Sequence, residues 1–375
     1  MSQRVVRFGV IGCGLMGREF ASAAARWIHL LDHPARPEIV AVCDANLAAT
    51  EWFAKSLPSV RQATADHREL LANPEVDAVY CAVPHHLHEA LYLDILRAGK
   101  HLLAEKPFGI DLPAAERIVA EVDARPELLV RGSSEFPFFP AVQRIAKMVR
   151  EEAFGQILEV HAAFNHSSDL DPNKPINWKR QVRFCGEYGC MGDLGMHVLH
   201  FPLRFGWMPK NVRALLTNAI PERPDGKGGM APCDTWDNAT LACESVQGFP
   251  MVLETKRISP GDTDTWTLRI LGTKNSAEFS TKFPKTLRTM PYESGRPQAW
   301  HAEDLGYESA YRSITGHIFE FGFTDAILQM WAAFLDELVG NVPSFGCVTP
   351  QEALYSHRLF TAALESQSTA STVAL

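Results

Sequence analysis

The chain has 375 residues and a formal net charge of −8, with 46% apolar and 21% charged residues. This mixture is typical of a globular protein and excludes a disordered chain, which would bury too little apolar surface to offset its chain entropy. The mildly acidic charge also argues against a general nucleic-acid binder, because such a chain repels phosphate groups.

No apolar run approaches the roughly 18 residues that cross a bilayer. The apolar N-terminal stretch is interrupted by Arg7 and lacks a small-residue cleavage site. The eight cysteines are scattered and form no CxxC pair. We therefore expect reduced, buried thiols in a cytoplasmic protein that has no membrane partner.

Strands and helices alternate through the first third of the chain. Strands are predicted at 4–12, 38–43, 77–83, 100–104 and 127–131, and helices at 18–29, 46–57, 66–73, 86–98 and 112–124. This alternation indicates βαβ units, so the fold class is α/β with a doubly wound parallel sheet.

A GxGxxG pattern, GCGLMG at residues 12–17, joins the first strand to the first helix. Gly12 permits the tight turn, Gly14 lets the backbone approach a pyrophosphate, and Gly17 allows close packing of helix on strand. The helix N-terminus adds free N–H groups. We predict that this loop, including Leu15 and Met16, binds a dinucleotide.

Asp44 ends the second strand, where it can accept hydrogen bonds from the adenosine ribose. Ala45 and Asn46 follow with no basic residue, which favours NAD over NADP. Asp44 lies 27 positions after Gly17, against the usual spacing of about 20, and a loop at 31–37 accounts for the excess. The alternative is that the glycines only shape a turn and Asp44 caps helix 46–57.

Consecutive strands mark the rest of the chain. Predicted strands at 157–164, 211–219, 236–246, 250–257, 265–271 and 276–280 lie among helices at 138–150, from 190, at 324–339 and at 350–366. They indicate a second α/β domain with a large, open, mainly antiparallel sheet. The predicted domains are 1–131 and 132–375, and helix 350–366 is a candidate to pack back on the first.

Three segments together resemble the glucose–fructose oxidoreductase / inositol dehydrogenase (Gfo/Idh/MocA) family. They are the glycine motif at 12–17, AGKHLLAEKP at 98–107 and GDLGMH at 192–197. The resemblance implies an N-terminal Rossmann domain that binds NAD(P). It also implies a C-terminal domain that carries the substrate site and often the interface of a homodimer or homotetramer.

Lys106 stands just beyond the end of a predicted parallel strand, where open α/β sheets place ligands. Its ammonium can stabilise an alkoxide as hydride leaves, whereas the alternative is an ordinary surface lysine. Asp193 and His197 are four residues apart, so on a helix they share one face. His197 can take a hydroxyl proton, and Asp193 orients it or binds the substrate.

Residues 83–88 resemble the family segment that lies along the cofactor. The resemblance therefore adds further predicted cofactor contacts, which are Val83, Pro84, His85, His88, Glu105 and Lys106. Three histidines in this segment suggest a metal, but no further ligand is near in sequence, so none is expected.

Residues 175–180 resemble a sugar-dehydrogenase segment, and His317 resembles a family position near the site, so the resemblance implies substrate contacts at Trp178, Arg180 and His317. His166 and Tyr188 are further predicted substrate contacts, as candidates for an additional base. Trp178 either stacks on a pyranose ring or packs in the core. Arg180 belongs to a basic cluster with Lys174, Lys179 and Arg183, which is either a solvated face or a receptor for an anionic sugar.

These residues predict an NAD-dependent oxidoreductase that oxidises a secondary hydroxyl of a sugar, cyclitol or sugar derivative to a ketone. An alternative is an NAD-retaining glycosidase or lyase, which oxidises transiently, eliminates and re-reduces. A third is a non-catalytic sugar and NAD sensor, although a sensor would not need Lys106, Asp193 and His197.

Overall fold

The computed structural model describes residues 3–375, which divide into two compact units. The first unit runs to Phe138 and includes Ser309–Gly316 and Gly322–Leu354. The second unit comprises Phe139–Glu308, His317–Phe321 and Tyr355–Leu375.

Six parallel strands form the sheet of the first unit. They are β1 (Arg4–Ile11), β2 (Ala35–Cys43), β3 (Gln62–Thr64), β4 (Ala78–Cys81), β5 (His101–Ala104) and β6 (Val130–Gly132). Their order is β3-β2-β1-β4-β5-β6. The order reverses beside β1, which confirms the predicted doubly wound Rossmann sheet and puts a ligand crevice at the carboxyl ends of the strands.

The strands of the second unit form a nine-stranded sheet and a small hairpin. They are β7 (Ile157–His166), β8 (Pro209–Thr217), β9 (Glu222–Pro224), β10 (Met230–Pro232), β11 (Asn238–Ser245), β12 (Pro250–Lys256), β13 (Asp264–Gly272), β14 (Asn275–Ser280), β15 (Thr286–Pro291), β16 (His301–Asp304) and β17 (Val373–Ala374). The large sheet has the order β16-β15-β14-β13-β7-β12-β11-β8-β17, and β9 pairs with β10. Only the β7–β12 pair of the large sheet is parallel over the described residues, so the prediction of a mainly antiparallel sheet is confirmed.

The α-helices are α1 (Leu15–Ala25), α2 (Glu51–Ser56), α3 (His67–Leu71), α4 (His88–Arg97), α5 (Leu112–Asp123), α6 (Pro140–Arg150), α7 (Val182–Cys185), α8 (Cys190–Arg204), α9 (Phe323–Leu338) and α10 (Pro350–Thr369). Across residues 3–375, none of these helices is long and apolar enough to span a bilayer. The eight cysteines are buried free thiols, as predicted.

Several boundaries differ from the prediction. Helix α1 begins at Leu15, because Gly14 is its N-cap, and it ends at Ala25 in a 3-10 turn. Strand β2 already begins at Ala35, so the predicted loop 31–37 is partly strand. The predicted helix 46–57 is a 3-10 turn followed by α2. Short strands such as β3 and β17 were missed because two or three residues carry no measurable periodicity.

The core of the first unit contains an aromatic cluster between sheet and helices. Trp331 of α9 lies edge-on to Phe8 of β1, with ring centroids 5.1 Å apart. Phe20 of α1 stacks on Tyr80 of β4 at 4.6 Å. Helix α9 thus covers the Rossmann sheet although it comes from the far end of the chain.

Helix α8 forms the core of the second unit, and each of its residues from Cys190 to Leu203 is buried. Two glycines explain how it fits. Gly189 has φ +55°, and a Cβ there would lie 2.6 Å from the Trp236 nitrogen. A Cβ on Gly195 would lie 2.4 Å from the Phe360 ring. At both glycines the helix therefore lies very close to neighbouring protein atoms.

We expect Gly189→Ala to destabilise the protein through both strain and overlap. A side chain at this φ costs about 1–3 kcal/mol, and forced overlap with the Trp236 backbone adds about 1–3 kcal/mol. Gly248→Ala is the matched control, because Gly248 also has positive φ (+93°) but no atom within 4 Å of its Cβ position. Urea unfolding measures both, and equal losses would contradict the packing argument.

Candidate active site

The glycine loop between β1 and α1 has the geometry of a dinucleotide cradle. Gly12 has φ +97°, and a Cβ there would lie 2.1 Å from the Ala82 carbonyl oxygen. A Cβ on Gly17 would lie 2.2 Å from the Gly12 oxygen, whereas one on Gly14 would point into open space. The backbone at Gly14 is therefore open to a ligand, beside the N-terminus of α1.

Asp44 fixes this loop from the end of β2. Its Oδ2 accepts a hydrogen bond from the Cys13 N–H at 2.8 Å, and its Oδ1 accepts one from the Asn46 N–H at 2.9 Å. The 3-10 turn that follows has Asn46, and not Asp44, as its N-cap residue. Because each carboxylate oxygen can accept a further bond, Asp44 can hold the loop and a ribose hydroxyl together.

The loop carries two features that sequence reasoning missed. The Arg18 guanidinium lies over the Trp52 ring, 5.5 Å from its centroid. Burial, with the charge of Asp44, raises the pKa of Cys13 to about 12, so this thiol stays protonated. The position of Arg18 directly after Gly17 could have marked it in the sequence. Its contact with Trp52 could not have been predicted, because Trp52 lies in a separate helix.

The contacts of Glu105 define the setting of Lys106. Glu105 is 6% exposed, and its Oε1 accepts a 2.7 Å hydrogen bond from the Tyr80 hydroxyl. The Tyr92 hydroxyl donates to the Glu105 carbonyl at 2.8 Å. The Lys106 N–H in turn donates to Glu105 Oε2 at 3.4 Å. These contacts favour Glu105 as a positioning residue for Lys106, and its direct contact with the cofactor stays a prediction.

His88 joins the predicted cofactor segment to the turn after β5. Its ring nitrogens lie 2.9 Å from the Val83 oxygen and 2.7 Å from the Pro107 oxygen. Burial lowers the pKa of His88 to about 4, against the smaller opposing effect of these carbonyls. The ring is therefore neutral near pH 7, and its single N–H donates to one of the two.

The neighbours of His88 vary in exposure. His85 is 2% exposed, and its ring centroid lies 5.6 Å from that of His88. Val83 and Pro84 are half-buried. Leu15, the first residue of α1, is 74% exposed. The cofactor contacts assigned to these residues stay predictions.

In the second unit, Asp193 of α8 is an ion-pair acceptor. Its two oxygens lie 2.9 and 3.1 Å from the Lys179 ammonium. Oδ2 also accepts a hydrogen bond from the guanidinium of Arg257, which directly follows β12. Asp193 itself is 2% exposed. Its carboxylate is thus held between two cations.

The ion pairs of Asp193 belong to a larger buried network at one end of three neighbouring strands. Asp169 follows β7, Asp237 precedes β11 and Arg257 follows β12, and these strands are adjacent in the sheet. Arg257 Nε donates to Asp169 at 2.9 Å. Arg180 donates to Asp237, and its Nε lies 3.3 Å from Asp169. Although burial opposes its ionisation, Arg257 and Lys174 hold the pKa of Asp169 well below its usual range.

The network changes the interpretation of Arg180. It is 1% exposed, so it does not lie on a solvated face. Its ion pairs with Asp237 and Asp169 favour a structural role, and its contact with a substrate stays a prediction. Trp178 begins the same 3-10 turn and is half-buried, with the Lys179 ammonium 5.6 Å from its ring centroid. It remains compatible with either stacking or packing.

His197 lies one turn after Asp193 in an aromatic setting. It is 4% exposed, and its ring is edge-on to Phe164 at 5.4 Å. The Trp266 indole N–H donates to the His197 carbonyl at 3.0 Å. These contacts fix the turn of α8 that carries the imidazole.

The remaining predicted substrate residues have different settings. His166 ends β7 and lies 3.4 Å from the Asp264 carboxylate. The Tyr188 hydroxyl hydrogen-bonds Thr361 of α10 at 2.7 Å, which favours a packing role. His317 is exposed, and its carbonyl accepts the Tyr307 N–H at 3.2 Å. Their contacts with a substrate stay predictions.

The parallel sheet, the glycine cradle and the anchored Asp44 define a dinucleotide-binding Rossmann domain. The chain belongs to the GFO/IDH/MocA oxidoreductase family. Residues 6–132 match that family's NAD-binding Rossmann-fold domain, and residues 142–278 match its C-terminal domain. The family prediction is therefore confirmed, and NAD is the cofactor.

Two individual relatives are each less than 30% identical to this chain. Levoglucosan dehydrogenase of Pseudarthrobacter phenanthrenivorans is 28% identical over 288 residues, which cover 72% of this chain and 73% of the relative. Trans-1,2-dihydrobenzene-1,2-diol dehydrogenase of Sus scrofa is 29% identical over 263 residues, covering 66% and 74%.

Solved structures show the same fold. A levoglucosan dehydrogenase in complex with NADH matches with a TM-score of 0.88 at 23% identity, covering 99% of both chains. An inositol dehydrogenase homologue from Azotobacter vinelandii, complexed with NAD+, matches with a TM-score of 0.80 at 19% identity, covering 99% of this chain and 98% of the other.

We expect Asp44→Asn to weaken NAD binding and to reduce the preference over NADP. A charge-assisted hydrogen bond is worth about 1.5–3 kcal/mol, so the dissociation constant for NAD should rise about 10- to 100-fold. The lost negative charge should also remove a repulsion of the 2′-phosphate. Fluorescence titration with both dinucleotides measures the ratio.

Asp66→Asn is the control for this prediction, since Asp66 accepts the Arg68 N–H at the start of α3. It should leave the NAD to NADP ratio unchanged. A wild-type protein that binds NADP more tightly than NAD would refute the role of Asp44.

His88 should make folding stability depend on pH. The pKa of His88 falls from about 6.5 in the unfolded chain to about 4 in the fold, so its contribution is complete above pH 6.5 and is lost as the pH falls toward 4. Between pH 7 and pH 5 this amounts to about 2 kcal/mol. His88→Gln should therefore show a smaller loss of unfolding free energy over that interval, measured with urea. An unchanged loss would show that His88 is not buried neutral.

Proposed function

We propose that this enzyme oxidises a secondary hydroxyl of a sugar, cyclitol or sugar derivative to a ketone. The observation that carries the proposal is on α8, where Asp193 is clamped by two cations one turn before the buried His197. The names of the relatives support it, since they include a levoglucosan dehydrogenase and a dihydrodiol dehydrogenase.

The residues of the glycine cradle and Asp44 would hold NAD, which supplies a hydride acceptor when bound. The cradle fits this group because its backbone is open at Gly14 and closely packed at Gly12 and Gly17. Tyr80 and Tyr92 hold Glu105, and Glu105 supports the Lys106 backbone. Lys106 follows the carboxyl end of β5, and open α/β sheets bind ligands at that end of their strands.

Lys106 and His197 would handle the hydroxyl proton. The ammonium donates a hydrogen bond to the substrate oxygen and stabilises its developing negative charge. The imidazole of His197 accepts the proton as a general base. Asp193 would orient the imidazole of His197 one turn further along α8, while Lys179 and Arg257 hold its carboxylate. A homodimeric or homotetrameric assembly and a cytoplasmic location stay predictions.

The test is steady-state turnover of a sugar and inositol panel, followed as NADH absorbance with product analysis. Lys106→Ala and His197→Ala should each lower kcat by about 10²- to 10⁴-fold, the usual worth of acid–base assistance. NAD affinity and the melting temperature should change little. If both groups act on one hydroxyl, the double variant should lose less than the product of the single losses.

Lys147→Ala and His161→Ala are matched controls, because both side chains contact glutamates outside the proposed machinery: Lys147 forms an ion pair with Glu151, and His161 hydrogen-bonds Glu159. Both should keep wild-type turnover. Turnover of a glycoside without net NADH would favour the NAD-retaining hydrolase instead. Near-wild-type activity of His197→Ala would assign the base to another residue.

A further inference from the structure

Arg18 is an exposed cation near the start of α1, directly after the glycine loop. Its backbone N–H donates to the Gly14 carbonyl at 3.1 Å, so it lies one helical turn after the residue whose backbone is open to a ligand. Long side chains on a helix lean toward its N-terminus. The Arg18 side chain therefore covers the turn of α1 that borders the dinucleotide cradle.

An aromatic ring of the neighbouring helix holds the Arg18 guanidinium. It lies over the Trp52 ring of α2 at 5.5 Å from the centroid, and Trp52 is 38% exposed. Helix α2 also packs against the cradle, since a Cβ on Gly17 would lie 3.5 Å from the Phe53 ring.

This contact leaves the charge of Arg18 uncompensated. A ring face attracts a cation without neutralising it. Over residues 3–375, no carboxylate lies within ion-pair distance of Arg18. Its guanidinium therefore retains N–H donors that can bind an anion at the edge of the cradle.

Arg18 and Asp44 act on the same part of the loop from opposite charges. Asp44 accepts the Cys13 N–H at 2.8 Å. Burial and the charge of Asp44 raise the pKa of the Cys13 thiol, whereas the charge of Arg18 lowers it. Both charges are therefore within electrostatic range of one residue of the cradle. In dinucleotide-binding folds, an acid at this strand end binds the ribose 2′-hydroxyl, and a nearby arginine accommodates a 2′-phosphate.

We propose that Arg18 is a second determinant of cofactor choice, which receives the 2′-phosphate of NADP and opposes its repulsion by Asp44. NAD stays the preferred cofactor, because its ribose hydroxyls can donate hydrogen bonds to the Asp44 carboxylate and a 2′-phosphate cannot. This inference goes beyond the proposed function, since it concerns the adenosine end of the cofactor and is independent of the substrate.

The test is fluorescence titration with NAD and NADP, and the readout is the ratio of the NADP to the NAD dissociation constant. This ratio cancels any general loss of binding. Arg18→Met should raise the ratio about tenfold, the lower end of what a charge-assisted contact is worth, because an exposed cation is partly screened. The same substitution should raise the ratio again in the Asp44→Asn background, where NADP binds without the opposing carboxylate.

Lys55→Met is the matched control. Lys55 lies on α2 with Trp52, and its removal changes the net charge by the same amount, but its ammonium pairs with Glu51 at 2.9 Å. It should leave the ratio unchanged. Arg18→Lys keeps the charge and loses the planar guanidinium, so it should retain part of the NADP affinity.

An unchanged ratio in folded Arg18→Met would overturn the inference, and so would an equal rise in Lys55→Met, which would show only a general effect of charge. Salt dependence tests the contact with Arg18 intact. In Asp44→Asn, the affinity for NADP should fall with added salt more steeply than that for NAD. Equal slopes would overturn the inference even if the Arg18 variants failed to fold.

Discussion

The guanidinium of Arg257 lies between two buried carboxylates, Asp169 and Asp193, and much of the second unit depends on this bridge. It ties the segment after β7 to helix α8, and Arg180 extends the tie to Asp237. Burying a charge is costly unless it is paired, and removing one partner of a buried pair typically costs about 3–5 kcal/mol. The network therefore holds its members in place together, including the aspartate beside the proposed catalytic histidine.

The first unit follows the same logic on a smaller scale. Asp44 holds the glycine loop by accepting a hydrogen bond from the Cys13 N–H. Glu105, which precedes Lys106, is held by hydrogen bonds from two tyrosine hydroxyls. The neutral ring of His88 lies between two backbone carbonyls and donates a hydrogen bond to one of them. In each case a buried polar side chain with specific partners sets the geometry of a neighbour that we propose contacts a ligand. Such positioning keeps reorganisation small when a ligand binds.

Local sequence patterns made part of the fold and part of the candidate site predictable. The glycine spacing together with Asp44 is a short-range signal of a strand–loop–helix unit. The four-residue interval from Asp193 to His197 is a short-range signal that both lie on one face of a helix. The partners Asp169 and Arg257 could not be predicted, because their pairing depends on strand order in a folded sheet. Arg180 was grouped with exposed neighbours, since a run of basic residues does not reveal which member is buried.

Helix α8 is enclosed over almost its whole length, with Gly189 and Gly195 pressed against neighbouring groups. This enclosure limits the routes by which such an enzyme can diversify. Substitutions within the helix disturb packing and charge balance at once, so few will be tolerated. The half-exposed turn that carries Trp178 and Lys179 is freer to vary. Evolution of new substrate preferences, or a library built to select for them, should therefore act on that turn while the helix stays constant.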